Sequence, residues 1–347
     1  MPSHRPTRLN ASWPRCTCSS CTVPVLNTVA NGSHPPGNKS SACCIVYFTI
    51  KESESRMASE ILMKGDPVPF ARSMGRLINC KEFSDVKFIV GEARQHIFAH
   101  RCILVSRCEV FRAMFAEKVV KETSAKIPLV LSDVESDIFM IILEFIYTNC
   151  ASLSAKTVVD VLASSIEYGL DELRKLCIAY LIRNLSVTTA CETMQAAATY
   201  GQDDLRWTTM GFIEEHTVEV FKMKQFQELS EQALAVILQS SRLLMDEMDI
   251  LATVKEWASI NSAVQGVSMI KAISSVIRHV RFPLFNEAEL QRVESGNETQ
   301  NVVPIAMIAF AWKFHALHQS DGTNPQTKLR RGTKHRDSHQ GLTPWDH

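Results

Sequence analysis

The residues whose chemistry is easiest to recognise in this sequence are cysteines near its start. Cys16, Cys18 and Cys21 lie close together, and Cys43 and Cys44 follow them. Four thiolates can bind zinc, but productive zinc sites need a scaffold that holds the ligands in a tetrahedron. The flanking sequence is rich in proline and serine and predicts no such scaffold. We therefore interpret these cysteines as incidental, and we expect neither a metal site nor a cofactor.

The sequence also lacks the motifs of the common catalytic sites. It contains no Gly-x-Gly-x-x-Gly, no Gly-Lys-Ser/Thr loop, no His-Glu-x-x-His and no Gly-x-Ser-x-Gly, so phosphate, zinc and acyl-transfer sites have no recognisable pattern. We expect His96 and His100 to be structural residues rather than metal ligands. The sequence thus predicts that the protein is not an enzyme and has no catalytic residues.

The balance of charge limits the classes of partner. The chain has 37 basic and 37 acidic side chains, so no global field attracts nucleic acid or anionic lipid, and we expect neither nucleic acid nor a membrane as a partner. A basic cluster near the carboxyl terminus has two interpretations, a nuclear-import or phosphate-binding patch and a solubilising tail. We expect residues 319–347 to form an unstructured basic tail. The cluster comprises Lys328, Arg330, Arg331, Lys334, His335 and Arg336.

Length and cysteine usage indicate a protein of two domains in a reducing compartment. The chain has 347 residues, of which 46% are hydrophobic, and this is enough to bury two cores. Of its 11 cysteines, Cys102, Cys108, Cys177 and Cys191 lie in apolar stripes, so we expect reduced thiols and a cytoplasmic location, with the nucleus as an additional one. The apolar stretch 42–50 is too short to cross a bilayer.

The first 56 residues differ from the rest. They are rich in Pro, Ser, Thr and Asn and lack periodic patterning, so we expect 1–56 to be disordered. Two explanations of the change in composition stay open. One is an alternative start at Met57, and the other is an incorrectly assigned first exon.

Periodic patterning becomes dense after Leu77. Val86, Phe88 and Val90 alternate with less apolar positions, which predicts a strand with one buried face. A second short strand is predicted over 127–131. The Ser-Asp-Val-Glu run at 132–135 has the form of a capping box. It precedes a helix whose apolar stripe comprises Ile138, Ile141, Ile142, Phe145 and Ile146.

Beyond Leu185 every periodic segment is helical. One helix is predicted over 269–280, where apolar residues recur until Pro283. A last helix begins at Pro304, which suits a first-turn position. Strands followed by helices favour an α+β fold with an all-α region after it. The expected buried face of the last helix comprises Ile305, Ile308, Ala309, Trp312 and Ala316.

Three motifs of the first half resemble the BTB/POZ family. They are Phe83-Ser84-Asp85-Val86, Phe98-Ala99-His100-Arg101 and Phe111-Arg112-Ala113-Met114-Phe115. The second half resembles the BACK domain of Kelch-type adaptors, in Ala190-Cys191-Glu192, Phe226-Gln227-Glu228-Leu229-Ser230 and Val254-Lys255-Glu256-Trp257-Ala258. The resemblance implies an α+β BTB/POZ domain over 76–184, an all-α BACK domain over 185–285 and a C-terminal helical segment over 286–318. Phe83, His100, Phe111, Met114 and Phe115 would be its BTB core motif.

The resemblance also implies a function in binding proteins. Such domains form homodimers through an apolar face, and Asp85 and Arg101 match the acid and base of a charged pocket at the dimer interface. That pair either positions the fold or belongs to a surface that binds corepressor peptides. The first expectation is a non-enzymatic adaptor that brings an unidentified client to a Cullin-3 RING ubiquitin ligase. The alternative is a BTB assembly protein or transcriptional co-regulator that does not bind Cullin-3.

Cullin-3 binding in the family uses a hydrophobic-x-Glu motif and an aromatic residue, which Val120, Glu122 and Tyr147 match in type. The spacing from Phe115 to the motif is one residue longer than the family pattern. The extra residue either bulges from the loop or turns Glu122 away from the cullin, and the sequence leaves both open.

Overall fold

The computed structural model of this chain describes residues 64–119, 128–317, 324–339 and 342. They lie in a compact unit that spans Lys64–His347. Strands β1 (Val86–Val90), β2 (Gln95–Ala99) and β3 (Leu129–Leu131) form a sheet in the order β2-β1-β3. β1 runs antiparallel to β2 and parallel to β3. The rest of the described chain is mainly helical, which confirms the predicted fold class.

The α-helices of the described residues follow in chain order. They are α1 (Pro67–Gly75), α2 (Arg101–Arg107), α3 (Glu109–Val119), α4 (Ser136–Thr148), α5 (Val158–Glu167), α6 (Asp171–Arg183), α7 (Ala190–Thr199), α8 (Asp203–Glu215), α9 (Thr217–Phe221), α10 (Glu231–Gln239), α11 (Glu247–Gln265), α12 (Met269–Ile273), α13 (Glu287–Gln300) and α14 (Ile305–Leu317). Short 3-10 helices cover Lys224–Glu228, Ile277–His279, Phe282–Leu284, Pro325–Thr327 and Asp337–His339.

The first core forms around the alternating face of β1. Val86, Phe88 and Val90 are buried as the period-2 pattern predicts. The ring of Phe88 lies 5.9 Å from that of Phe111 on α3 and 5.1 Å from that of Phe139 on α4, between ring centroids. Such tilted and edge-to-face contacts add to the burial of apolar area. The sheet is thereby fixed to the helices that pack on it.

The predicted capping box at 132–135 is wrong. The hydroxyl of Ser132 donates to the Asp133 carboxylate (3.0 Å), and α4 begins only at Ser136, with Glu135 as its N-cap residue and no side-chain capping bond. Val134 is buried against the first core. The chain therefore needs these residues to turn from β3 and to bury Val134 before the helix can begin.

The second core surrounds Trp257 on α11. Its indole is fully buried, and Nε1 donates to the carbonyl oxygen of Leu229 at 2.9 Å. The interaction satisfies the only polar atom of the indole and ties α11 to the segment before α10. Trp257 thus combines apolar burial with one specific contact.

The single helix predicted over 269–280 is also wrong. α12 ends at Ile273, and a separate 3-10 helix follows at Ile277–His279. Ile273, Val276, Ile277 and Val280 are all buried, as their spacing on one helical face predicts. The apolar spacing thus predicted the buried residues but not the break in the helix after Ile273.

The last helix does form, but its expected buried face is wrong. On α14 the buried residues are Ile308, Ala311, Phe314 and His315, whereas Ile305 is 73% exposed. Trp312 lies at the edge of this face, where its Nε1 donates to the Glu294 carboxylate on α13 at 3.0 Å. Nearly every position of this helix is apolar, so periodicity could not select one face.

The unstructured tail expected over 319–347 is wrong for the part that the structure describes. Residues 324–339 contain two 3-10 helices, and Arg330, Arg336 and His339 are buried. The basic side chains find carboxylate partners on the helical half, which compensates for the cost of removing them from water.

Several expectations concern residues that the structure does not describe. The amino-terminal cysteines and the whole of 1–56 lie outside the described ranges. Within those ranges, Cys80, Cys102, Cys108, Cys150, Cys177 and Cys191 are free thiols, and no group of three His, Cys, Asp or Glu side chains is placed to hold a metal ion. None of the described helices is both long enough and apolar enough to cross a membrane.

Replacing Trp257 with alanine should destabilise the protein by about 3–5 kcal/mol, because a large buried side chain is lost and the Leu229 carbonyl is left without a partner. Trp207→Ala is the matched control, since Trp207 on α8 is 74% exposed, and it should change stability by less than about 0.5 kcal/mol. Urea unfolding followed by far-UV circular dichroism measures both. Equal effects would contradict the assignment of Trp257 to the core.

Candidate partner-binding surfaces

Helix α1 lies on the outside of the first domain. The Asp66 side chain caps it by accepting a hydrogen bond from the Val68 amide (2.9 Å), and proline follows in the first turn. None of its residues is buried, and Val68 and Phe70 are 60% and 66% exposed. α1 therefore presents large apolar side chains to solvent, as expected of a surface that another protein covers.

Two grooves flank α1 where it packs on α4. One has a volume of about 640 Å³ and is lined by Ala71, Gly75, Ile78, Met140 and Ile141. The other has about 340 Å³, and its lining includes Phe70, Met74, Ile103, Ile146 and Tyr147. Both linings are mainly apolar, so the exposed apolar surface continues from α1 onto α4.

Tyr147, expected to contact Cullin-3, is buried on α4. Its hydroxyl accepts a hydrogen bond from the His100 amide (2.8 Å) and lies 3.0 Å from His100 Nδ1. Burial raises the pKa of Tyr147 to about 12, so the phenol stays protonated. His100, also buried, has no hydrogen-bond partner at Nε2. The pair joins the end of β2 to α4.

Asp85 and Arg101 are close but do not form an ion pair with each other. A carboxylate oxygen of Asp85 accepts from the backbone amide of Arg101 at 2.7 Å, which satisfies one of the free amides at the start of α2. The Arg101 guanidinium instead lies over the Phe115 ring, 5.1 Å from its centroid. This distance is within the range of a cation–π interaction.

The structure places the remaining motif residues differently. Phe111 and Phe115 are buried and Met114 is half-buried, whereas Phe83 is 81% exposed with φ +63°, so its assignment to the core motif is wrong. Phe83 precedes the sheet ladder, which begins where the Asp85 amide donates to Ala99 (3.3 Å). Val120 and Glu122 lie outside the described residues.

A buried ion pair joins the C-terminal segment, residues 324–339, to α11. Arg330 and Glu247 have fully buried side chains, and Arg330 Nε donates to the Glu247 carboxylate. The other guanidinium nitrogens donate to the carbonyl oxygens of Ser240 and His279. The same carboxylate accepts from the Arg281 amide at 3.0 Å. Each of the three guanidinium nitrogens of Arg330 thus donates a hydrogen bond, which offsets part of the cost of burying the charge.

Arg336 makes the second charged contact of the segment. Its guanidinium nitrogens lie 2.8–3.0 Å from the carboxylates of Asp246 and Glu289. Burial alone would raise the pKa of each carboxyl, but the hydrogen bonds and charge of Arg336 outweigh burial and hold both pKa values below their usual range. Asp246 also accepts from the Lys334 amide at 2.9 Å. Both carboxylates therefore remain ionised at neutral pH.

The backbone of the segment continues this contact. The amides of Arg331 and Gly332 donate to the carbonyl oxygens of Ser241 and Leu243, each at 2.9 Å. A Cβ at Gly332 would lie 2.0 Å from the Met245 nitrogen, so only glycine fits. The segment therefore lies against 241–245 at backbone contact distance.

Sequence reasoning missed this surface, although one signal was present. Glu247 lies at i−3, i−4 and i−7 from Ile250, Leu251 and Val254, which are all buried on α11. A carboxylate in the apolar stripe of a helix requires a buried cation. The basic cluster near the carboxyl terminus was the available source.

Comparison with known proteins gives matches over both halves of the chain. The BTB/POZ domain family model matches residues 74–185, and the model described as BTB And C-terminal Kelch (BACK) matches 190–294. BTB/POZ domain-containing protein 19 of Bos taurus is 38% identical, and that of Homo sapiens 37%, each over 81% of this chain and 97% of the relative. BTB/POZ domain-containing protein 9 of Drosophila melanogaster is 30% identical over 65% of this chain and 30% of that protein.

Tyr147→Phe tests the link between α4 and the His100 backbone. It should destabilise the protein by about 1–3 kcal/mol, because the buried His100 amide loses its acceptor. Tyr180→Phe, at a half-buried position on α6, is the matched control and should change stability by less than about 0.5 kcal/mol. Urea unfolding measures both, and a Tyr147→Phe variant as stable as the control would contradict the assignment.

Proposed function

The chain belongs to the BTB/POZ–BACK family, whose members are generally non-enzymatic interaction adaptors, and we propose that it is a homodimeric scaffold that recruits a client to a Cullin-3 RING ubiquitin ligase. The observation that carries the proposal is the uncovered apolar surface of α1 on a BTB/POZ domain. The mechanism is proximity, because two linked ligase arms raise the effective concentration of a client near the ubiquitin-loaded enzyme.

The proposed dimer interface consists of α1 and the grooves beside it. Val68 and Phe70 supply exposed apolar area, and the groove linings extend it onto α4. Stable homodimer interfaces bury about 2,000 Å² or more and are more apolar than the rest of the surface. A second copy of this chain would cover the same surface on both subunits around a twofold axis.

The proposed Cullin-3 contact consists of residues that follow α3 in the sequence. Val120 and Glu122 carry the hydrophobic-x-Glu pattern of the family and follow directly after α3, which ends at Val119. Tyr147 is buried, and its hydroxyl accepts a hydrogen bond from the His100 amide. We therefore assign it a supporting role, in which it fixes the position of α4. The direct contacts of the proposal are thus restricted to Val120 and Glu122.

A nuclear co-regulator receives less support from the contacts of the basic cluster. Arg330 and Arg336 are buried in ion pairs with α11 and α13 residues, so they do not present the exposed basic run that a nuclear-import patch requires. The buried thiols of Cys108, Cys177 and Cys191 fit a reducing compartment. We therefore place the proposed scaffold in the cytoplasm.

The dimer proposal predicts the mass of the dimer for the full chain at micromolar concentration in multi-angle light scattering. Val68→Lys together with Phe70→Glu should shift the protein towards monomer by at least tenfold in dissociation constant, because charges would be buried in an apolar interface. Trp207→Glu, which changes an equally exposed apolar residue on α8, is the control and should remain dimeric. A folded wild-type monomer would exclude the proposal.

The ligase proposal predicts that Cullin-3 co-purifies with the full chain. Val120→Ala with Glu122→Ala should reduce this recovery at least tenfold, because the chain would lose both the apolar and the charged contact to Cullin-3. Glu167→Ala removes an exposed acid from α5 and should have no effect. Light scattering on the same samples separates loss of Cullin-3 from loss of the dimer. Failure of the wild-type chain to retain Cullin-3 would reject the ligase role and leave the dimer untouched.

A further inference from the structure

The C-terminal segment is held by polar contacts and contributes nothing to the second core. The residues that form or pack against that core end at Trp312. The segment has a single aliphatic side chain, Leu329, which is only half-buried. Removing it would uncover the carboxylates and carbonyls that its arginines and amides contact. The segment is thus held as a bound peptide is held in its binding site, whereas a core strand or helix is held mainly by apolar packing.

The cleft that holds the segment offers mainly acceptors, and Arg281 is the donor side chain that it adds. Its carboxylates are Asp246, Glu247 and Glu289, and its carbonyls belong to Ser240, Ser241, Leu243 and His279. The segment supplies the donors, which are two guanidinium groups six residues apart and the amides between them. Bidentate and forked contacts of this kind favour arginine over lysine. The cleft therefore selects a segment with two arginines six residues apart and a glycine two residues after the first.

Arg281 provides the cleft with a second cation. Its guanidinium donates to the carbonyl of Lys328 (2.7 Å) and to Ser241 Oγ (3.0 Å). Burial first, and then repulsion by Arg330, lower the pKa of Arg281 to about 9, while Glu247 opposes the shift. When the segment leaves, this repulsion ends and Arg281 stays to balance Glu247. Undocking thus does not leave a bare buried carboxylate, which would cost about 3–5 kcal/mol.

We propose that this cleft is a recognition site for arginine-bearing segments of a partner protein, and that residues 324–339 occupy it as an internal competitor. A tethered segment has an effective concentration of about millimolar at its own site. A partner segment therefore has to bind the cleft more tightly than residues 324–339 do in order to displace them. The inference goes beyond dimerisation and Cullin-3 binding and holds without either. It assigns the client-reading contact to the helical half.

The test uses a fluorescent synthetic peptide of residues 324–339 and the full chain. Gly332→Val in the chain should release its own segment, because the added side chain would collide with the Met245 backbone. The peptide should bind this variant at least tenfold more tightly than wild type by fluorescence anisotropy. His335→Val, at an exposed position of the same segment, should behave as wild type. A peptide with Arg330→Lys should bind the Gly332→Val chain at least tenfold more weakly than the native peptide.

Two further measurements decide between a partner site and a self-docking element. A peptide that keeps only Arg330, Gly332 and Arg336 in a serine background should retain binding, and binding of the native peptide alone would overturn the proposal. In wild type, the amides of Arg331 and Gly332 should exchange hydrogen through openings that leave α11 protected. The proposal would be rejected if these amides exchanged only together with those of α11. It would also be rejected if circular dichroism showed the Gly332→Val chain to be unfolded, because the segment would then be a required part of the domain.

Discussion

The helical half depends on the neutralisation of one carboxylate. Glu247 has no exposed surface and lies in the apolar stripe of α11, the helix that carries Trp257. A buried charge without a partner costs more than most single contacts contribute, so α11 can pack only if cations are brought to it. Arg281 and Arg330 supply them from distant parts of the sequence, and the amide of Arg281 adds a hydrogen bond. This requirement explains the position of Arg281, directly before the 3-10 helix Phe282–Leu284, and that of the C-terminal segment.

The BTB/POZ half differs from the helical half, because the surface that it leaves open to a partner is apolar rather than charged. Its backbone amides at the β2–α2 junction are satisfied inside the chain, since those of His100 and Arg101 donate to the side chains of Tyr147 and Asp85. What it leaves uncovered is apolar, on α1 and in the grooves against α4. The two halves therefore have different needs for a partner. Apolar area favours a stable, permanent contact, whereas a charged cleft favours an exchangeable and selective one.

Periodicity predicted the parts of the fold in which one face alone is buried. The strand with Val86, Phe88 and Val90 formed as expected, and the helix through Phe111 also formed. Patterns failed where tertiary packing overrode a local signal. The letters of a capping box at 132–135 could not reveal that Val134 had to be buried first. The apolar α14 did not indicate its inner face, and Phe83 carried the motif of a core residue at an exposed position.

The candidate site was less predictable than the fold, because its components are remote in sequence. Glu247 and Arg330 are separated by 83 residues, and a charged tail ordinarily indicates disorder. An acid inside an apolar stripe was the informative residue, since it requires a cation that the sequence then has to supply. Association through α1 would place two such clefts in one particle. A client with two arginine-bearing segments would then gain avidity without any new contact, provided that its linker spans the distance, so selectivity would depend on spacing as well as on the residues in each cleft.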